Sequence, residues 1–144
     1  MKSENEENAT EKGNRKEGKK HVFPFMIAYA DTDAGGIVYH ARYIEIAERA
    51  RMNWLKNYLP PNGDMGFAIK EISVKYLRAL QVGEEITVES VAIHIGGASL
   101  SVEQKIMKDG EVYAILTVIA VYIGANMRPK RIPENIKSIM ADYL

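Results

Sequence analysis

From His40 to Tyr58 apolar residues recur at steps of three and four: Tyr43, Ile44, Ala47, Ala50, Trp54, Leu55 and Tyr58. That spacing predicts a helix with one apolar stripe, while Glu45, Glu48, Arg49, Asn53 and Lys56 take much of the other side. Pro60 and Pro61 end it, because proline cannot continue the hydrogen-bond ladder and disfavours helix in the residue before it. A stripe of this length needs an apolar cover. Nearly everything downstream reads as strand, and a sheet can bury the stripe by wrapping around the helix.

The strands follow from alternation and turn signals. A first strand runs from His21 to Tyr29, with Pro24 marking an edge or a bulge. Residues 67–80, FAIKEISVKYLRAL, form a second strand whose apolar phase shifts near Lys70, as a bulge or a strong twist would cause. Gln81-Val82-Gly83 turns the chain. Ile86, Val88, Ser90 and Ala92 then alternate with Glu85, Thr87, Glu89 and Val91 in a half-buried third strand. Gly96-Gly97 precedes a fourth, in which Leu100, Val102, Gln104 and Ile106 point one way and Ser101, Glu103 and Lys105 the other. Asp109-Gly110 is a hairpin signal. The near-continuous apolar run EVYAILTVIAVYIG after it reads as a fifth strand covered on both faces. A short helix from Pro133 closes the chain. The result is an α+β fold with a mostly antiparallel sheet.

Residues 1–20, MKSENEENATEKGNRKEGKK, carry six Lys or Arg, five Glu and almost nothing apolar, which makes them a disordered charged leader ahead of a domain spanning 21–144. The leader lacks the apolar run of a secretory signal, and no stretch of the chain approaches a membrane span. The expected location is the cytoplasm, with the periphery of the inner membrane as the alternative. Formal net charge is zero, so nucleic acid is not an expected partner. The absence of cysteine excludes disulfides, cysteine metal sites and a thiol nucleophile.

The chemistry concentrates in Tyr29–His40, YADTDAGGIVYH, between the first strand and the helix. Two aspartates, Asp31 and Asp33, run into Gly35-Gly36, and the helix starts at once. The D-x-D-x-G run begins like a calcium loop, but counting from Asp31 places Arg42 where that loop needs a bidentate glutamate. Three scattered histidines give no zinc pattern, and no metal is expected. A carboxylate in such a turn can act as a general base or as a nucleophile. The first N–H groups of a helix lack partners and favour negative charge, which suits a developing oxyanion. Gly35 and Gly36 let the chain bend and let a substrate approach the backbone. Asp31 reads as a turn residue bonding its own backbone. Glu45 and Glu48 read as helix-face charges, and Glu48, one turn further in, could touch the site.

YADTDAGGIVYHARYIEIAERAR, together with VKYLRAL, the Asp-Gly hairpin and RPKRIP, resembles the 4-hydroxybenzoyl-CoA thioesterase family of hotdog-fold proteins. Within that family it is most similar to the acyl-CoA thioesterases associated with the Tol-Pal system. The resemblance covers roughly residues 21–136. It implies a hotdog fold, a five-stranded antiparallel sheet wrapped around the long helix, and a homodimer or homotetramer with active sites between subunits. It implies that Asp33 is the catalytic carboxylate, that the His40 backbone N–H polarises the thioester carbonyl, and that Tyr29 belongs to the same site. The implied reaction is hydrolysis of acyl-CoA to free acid and CoA, with no cofactor beyond the CoA of the substrate. Arg78, Arg128, Lys130 and Arg131 are candidates for the CoA phosphates, since guanidinium groups pair well with phosphate oxygens. The alternative within the same fold is a non-catalytic protein that binds acyl-CoA or acyl carrier protein. A dehydratase acting on 3-hydroxyacyl chains would need a different His/Asp arrangement.

Overall fold

The computed structural model describes residues 18–58, 60 and 63–144. Most of the charged leader lies outside them. Five strands form one antiparallel sheet: β1 (His21–Met26), β2 (Gly66–Tyr76), β3 (Glu85–Ile95), β4 (Ser99–Lys108) and β5 (Glu111–Ile123). Their order across the sheet is β1-β3-β4-β5-β2. Helix α1 (Arg42–Leu55) lies against the inner face, and α2 (Glu134–Ala141) covers the far end of that face. This is the wrapped-helix arrangement that the hotdog resemblance implies.

Packing follows the alternation. Ile86, Val88, Ala92, Leu100, Val102, Ile106, Ala114, Leu116, Val118 and Tyr122 are buried against Tyr43, Ile46, Ala47, Ala50 and Trp54 of the helix. Each fully buried aliphatic side chain of this kind contributes about 1.5–3 kcal/mol. Ile46 joins the buried stripe. Ile44, Leu55 and Tyr58 are only half-buried at its margins.

Several element boundaries move inward, each for a local reason. β1 ends at Met26 because Asp31 accepts the Ala28 N–H at 2.8 Å and draws the chain into a 3-10 turn, Tyr29–Asp31. α1 begins at Arg42, whose N–H closes a turn onto the Tyr39 carbonyl at 2.8 Å. It ends at Leu55, before the prolines. β2 stops at Tyr76 because the N–H groups of Leu77 and Arg78 both turn to the Tyr113 carbonyl, at 2.9 and 3.1 Å. The expected bulge in β2 falls between Ile69 and Glu71. Asp109 and Gly110 take φ values of 51° and 78°, as the tight hairpin requires. β5 departs from expectation. Its inner face is buried, but Ile115, Thr117, Ile119 and Val121 on the outer face are only half-buried, because among the described residues no second layer covers them.

The two sheet edges differ. β1 has six residues and carries Pro24, which cannot donate to a neighbouring strand. β2 has eleven residues without proline, and among the described residues no strand pairs with its outer edge.

Candidate active site

The loop between β1 and α1 is a small closed structure. Thr32 and Val38 form an isolated bridge, and Asp33 N–H donates to the Ile37 carbonyl at 2.8 Å. Asp31 is the anchor. It is only 8% exposed, and besides the Ala28 N–H it faces Arg42 Nε at 3.6 Å. Arg42 in turn donates to the Ala30 carbonyl at 2.6 Å. The backbone-bonding role read for Asp31 is therefore the one it fills, with an ion pair added.

Asp33 sits at the exposed end of this loop. Its Oδ1 accepts the Gly35 N–H at 2.8 Å, and its carbonyl accepts the Gly36 N–H at 3.0 Å. Gly36 has a φ of +86°, a conformation that side chains resist, so glycine suits the turn on backbone grounds alone. The loop thus brings Asp33, Gly35 and Gly36 together. His40 follows in the turn before α1, exposed, with its ring 4.5 Å from that of Tyr39. Among the described residues the backbone N–H groups of His40 and Ala41 meet no backbone acceptor. Tyr29 is 84% exposed, and its phenol reaches none of these groups within this chain.

Two contacts fix the loop against the sheet. Val38 N–H donates to the Leu80 carbonyl, and the Tyr76 hydroxyl donates to the His40 carbonyl, each at 2.8 Å. Tyr76 also meets the buried Tyr43 ring edge-on at 5.1 Å. Burial, and next the neighbouring Tyr76, push the Tyr43 phenol above its ordinary value. Tyr76 did not emerge from the sequence, because alternation in β2 says nothing about what lies beyond the strand end.

The basic candidates separate. Arg78 lies beyond the Tyr76 end of β2, paired with Glu111 at 2.9 Å. Arg128, Lys130 and Arg131 follow β5 at the other end, where Ile123 pairs with Gly66. Lys130 is held by Asp64, with Nζ to Oδ1 at 3.0 Å, while Arg128 and Arg131 are exposed. Asp64 is almost enclosed, its side chain 2% exposed, and also accepts the Tyr122 hydroxyl at 2.9 Å. The Lys130 bond holds the Asp64 carboxyl below its ordinary value, against the opposing effect of burial. Burial, followed by the bond to Asp64, pushes the Tyr122 phenol up to about 12.

A cavity of about 320 Å³ opens at this same end, between the C-terminal half of α1, the start of β2 and α2. Its walls are largely apolar, including Met52, Leu55, Tyr58, Met65, Phe67 and Ile69. Arg51 also lines it and donates to Gln104 Oε1 at 2.9 Å. Gln104, wholly buried on β4, donates in turn to the Ala47 carbonyl and to Ser90 Oγ, both at 3.0 Å. Burial pushes the Arg51 guanidinium below its usual value, and the nearby Glu48 opposes that effect.

Five antiparallel strands wrapped around one helix, with an Asp-Gly loop at the helix entry, define a hotdog-fold protein. Residues 27–140 match the Thioesterase-like superfamily, and the chain belongs to that family. The chain is 32% identical over 123 residues to the acyl-CoA thioesterase YbgC of Haemophilus influenzae, covering 81% of this chain and 90% of that one. A probable thioesterase from Bartonella henselae superposes with a TM-score of 0.74 at 27% identity, over 80% of this chain and 100% of the other. A thioesterase from Thermus thermophilus, whose structure holds coenzyme A and zinc, gives a TM-score of 0.74 at 25% identity, over 83% and 90%. Among the described residues no helix is long and apolar enough to cross a membrane.

Proposed function

We propose that this protein is an acyl-CoA thioesterase, with Asp33 delivering the attack and the amides of the helix entry receiving the charge. The carrying observation is the loop itself: an exposed carboxylate, fixed by Gly35, in the turn that leads into backbone N–H groups without backbone partners among the described residues. In the general-base route Asp33 takes a proton from water as its oxygen bonds to the thioester carbon. The carbonyl electrons move onto oxygen, where the His40 and Ala41 N–H groups stabilise them. Collapse breaks the C–S bond, and the CoA thiolate leaves and takes up a proton. In the nucleophilic route a carboxylate oxygen attacks directly, and water then cleaves the anhydride. Losing one such donor typically costs about 3–4 kcal/mol of transition-state stabilisation.

The working unit is a homodimer paired through β2. Antiparallel pairing of two such strands brings the Tyr76 end of one protomer to the Gly66 end of its partner. Arg78 of one chain then approaches the Arg128–Arg131 segment of the other, which gathers the basic residues around the CoA phosphates.

The test is hydrolysis of an acyl-CoA panel, read by release of free thiol, for wild type and Asp33→Asn. A fall in kcat of roughly 10²–10⁴ is expected. Equal rates would remove Asp33 from the mechanism. Single turnover in ¹⁸O-water identifies the nucleophilic route when label enters the Asp33 side chain, as it does where water attacks the aspartyl carbonyl of the anhydride.

A further inference from the structure

We infer that Arg42 is a positioning residue for the proposed hydrolysis: its side chain sets the Asp33 carboxylate against the His40 and Ala41 N–H groups. The inference rests on the thioesterase reading and adds the contact that aligns its two halves.

Those halves are fastened to different parts of the fold. The loop has two arms, joined by Asp33 N–H on the Ile37 carbonyl at 2.8 Å and by Tyr39 N–H on the Asp31 carbonyl at 2.9 Å. It is pinned at Val38, whose N–H donates to the Leu80 carbonyl, and by the bridge between Ile37 and Gln81. The N–H groups of His40 and Ala41 stand instead at the entry of α1, which packs on the sheet through Tyr43, Ile46, Ala47 and Ala50. Tyr76 holds the His40 carbonyl, but it reaches it from β2 and not from the arm that carries Asp33. A small slide of the helix would part amides from carboxylate with both still folded.

Arg42, the first residue of α1, spans that joint. Its Nη2 donates to the Ala30 carbonyl at 2.6 Å, and its Nε faces Asp31 Oδ1 at 3.6 Å. The helix thereby grips the arm that runs on to Asp33. Nη1 donates to Glu45, one turn along the helix, which steadies the fork. Among the described residues no other side chain of α1 hydrogen-bonds to residues 28–41.

Stability alone gives little reason for a guanidinium here. A cation in the first turn of a helix opposes the helix dipole. Arg42 Nε is also buried and, among the described residues, has no hydrogen-bond partner, which is unfavourable in itself. A chain keeps two such penalties on one side chain where the site needs the geometry they hold. The planar fork suits that task, because it spans separate acceptors that an ammonium would meet one at a time.

The experiment measures thiol release from an acyl-CoA of the panel for wild type, Arg42→Gln and Arg42→Lys. Each kcat is divided by the folded fraction, read from urea unfolding of the same preparation. Arg42→Gln is expected to lower kcat roughly 10- to 100-fold and to leave KM within about threefold, since alignment changes and binding does not. Arg42→Lys is expected to fall between that variant and wild type. A kcat per folded molecule within about twofold of wild type overturns the inference, in Arg42→Gln or, should that variant not fold, in Arg42→Lys. So does a raised KM at unchanged kcat, which would make Arg42 a substrate contact. Either result leaves the loss in Asp33→Asn, and with it the thioesterase reading, standing. No turnover by wild type on any acyl-CoA overturns both.

Discussion

The hydroxyl of Tyr76 donates to the backbone carbonyl of His40 at 2.8 Å, tying the last residue of β2 to the turn that opens α1. One strand therefore carries both the free pairing edge and the tether of the proposed oxyanion amides. Tyr76→Phe keeps the ring against Tyr43 and removes only that tether. Stability should drop by about 1 kcal/mol in urea unfolding. On the proposed mechanism kcat should fall about tenfold, since misplaced groups weaken an oriented site. An unchanged kcat would mean that the helix entry holds its position without Tyr76.

The two glycines of the loop should fail in different ways. A Cβ on Gly36 meets nothing within 4 Å, but the residue has a φ of +86°. Gly36→Ala should therefore cost about 1–2 kcal/mol from backbone strain. A Cβ on Gly35 would sit 3.2 Å from Asp33 Oδ1 and displace the carboxylate instead. Gly35→Ala should lower turnover while shifting the melting temperature less than Gly36→Ala does. The reverse ranking in a joint melt and thiol-release assay would contradict this geometry.

Gln104 joins α1, β3 and β4 through three hydrogen bonds in the core. Gln104→Leu preserves much of the bulk but strands the Arg51 guanidinium on an apolar wall. The expected loss is about 2–4 kcal/mol, more than an isolated neutral hydrogen bond would explain. Chemical denaturation measures it. In an Arg51→Met background the same substitution should cost less, because the stranded charge is gone.

Acid stability should depend on Asp64. Its folded-state carboxyl is held below the ordinary 3.8, first by the hydrogen bond from Lys130. Between the depressed value and 3.8 the folded state binds fewer protons than the unfolded state, so stability rises with pH there. The contribution is complete above the unfolded value and is lost as pH falls through the folded one. Asp64→Asn should therefore be less stable than wild type at neutral pH, with the gap closing below about pH 4. Melting curves from about pH 2.5 to 7 test this, and a gap independent of pH would exclude the ion pair as its source.

Much of the architecture was legible because it depends on periodicity. The steps of three and four in Tyr43–Trp54 and the alternation in Ile86–Ala92 and Leu100–Ile106 each report one buried face. The Asp109-Gly110 turn is legible for a different reason, since few residue pairs accept its backbone angles. The ends of elements were less legible. β1 stops where the Asp31 side chain captures a backbone N–H, a competition between side chain and strand that no pattern displays. The Asp-x-Asp pair marked the loop, and the turn role of Asp31 was legible in it; burial added that Asp31 turns inward to hold the loop while Asp33 faces out.

From the residue order alone came the helix, the five strands, the bulge in β2 and the loop that carries two aspartates and two glycines. These are local properties, governed by side-chain spacing and by backbone angles that glycine or proline permits or forbids. Only the tertiary structure decided that Tyr76 holds His40, that Lys130 is committed to Asp64, that Arg78 lies apart from Arg128 and Arg131, and that Arg51 lines an apolar cavity. Those pairings join residues between 36 and 66 positions apart or set them on opposite ends of one strand. They depend on the order in which the strands lie side by side, which the spacing of residues along the chain does not encode.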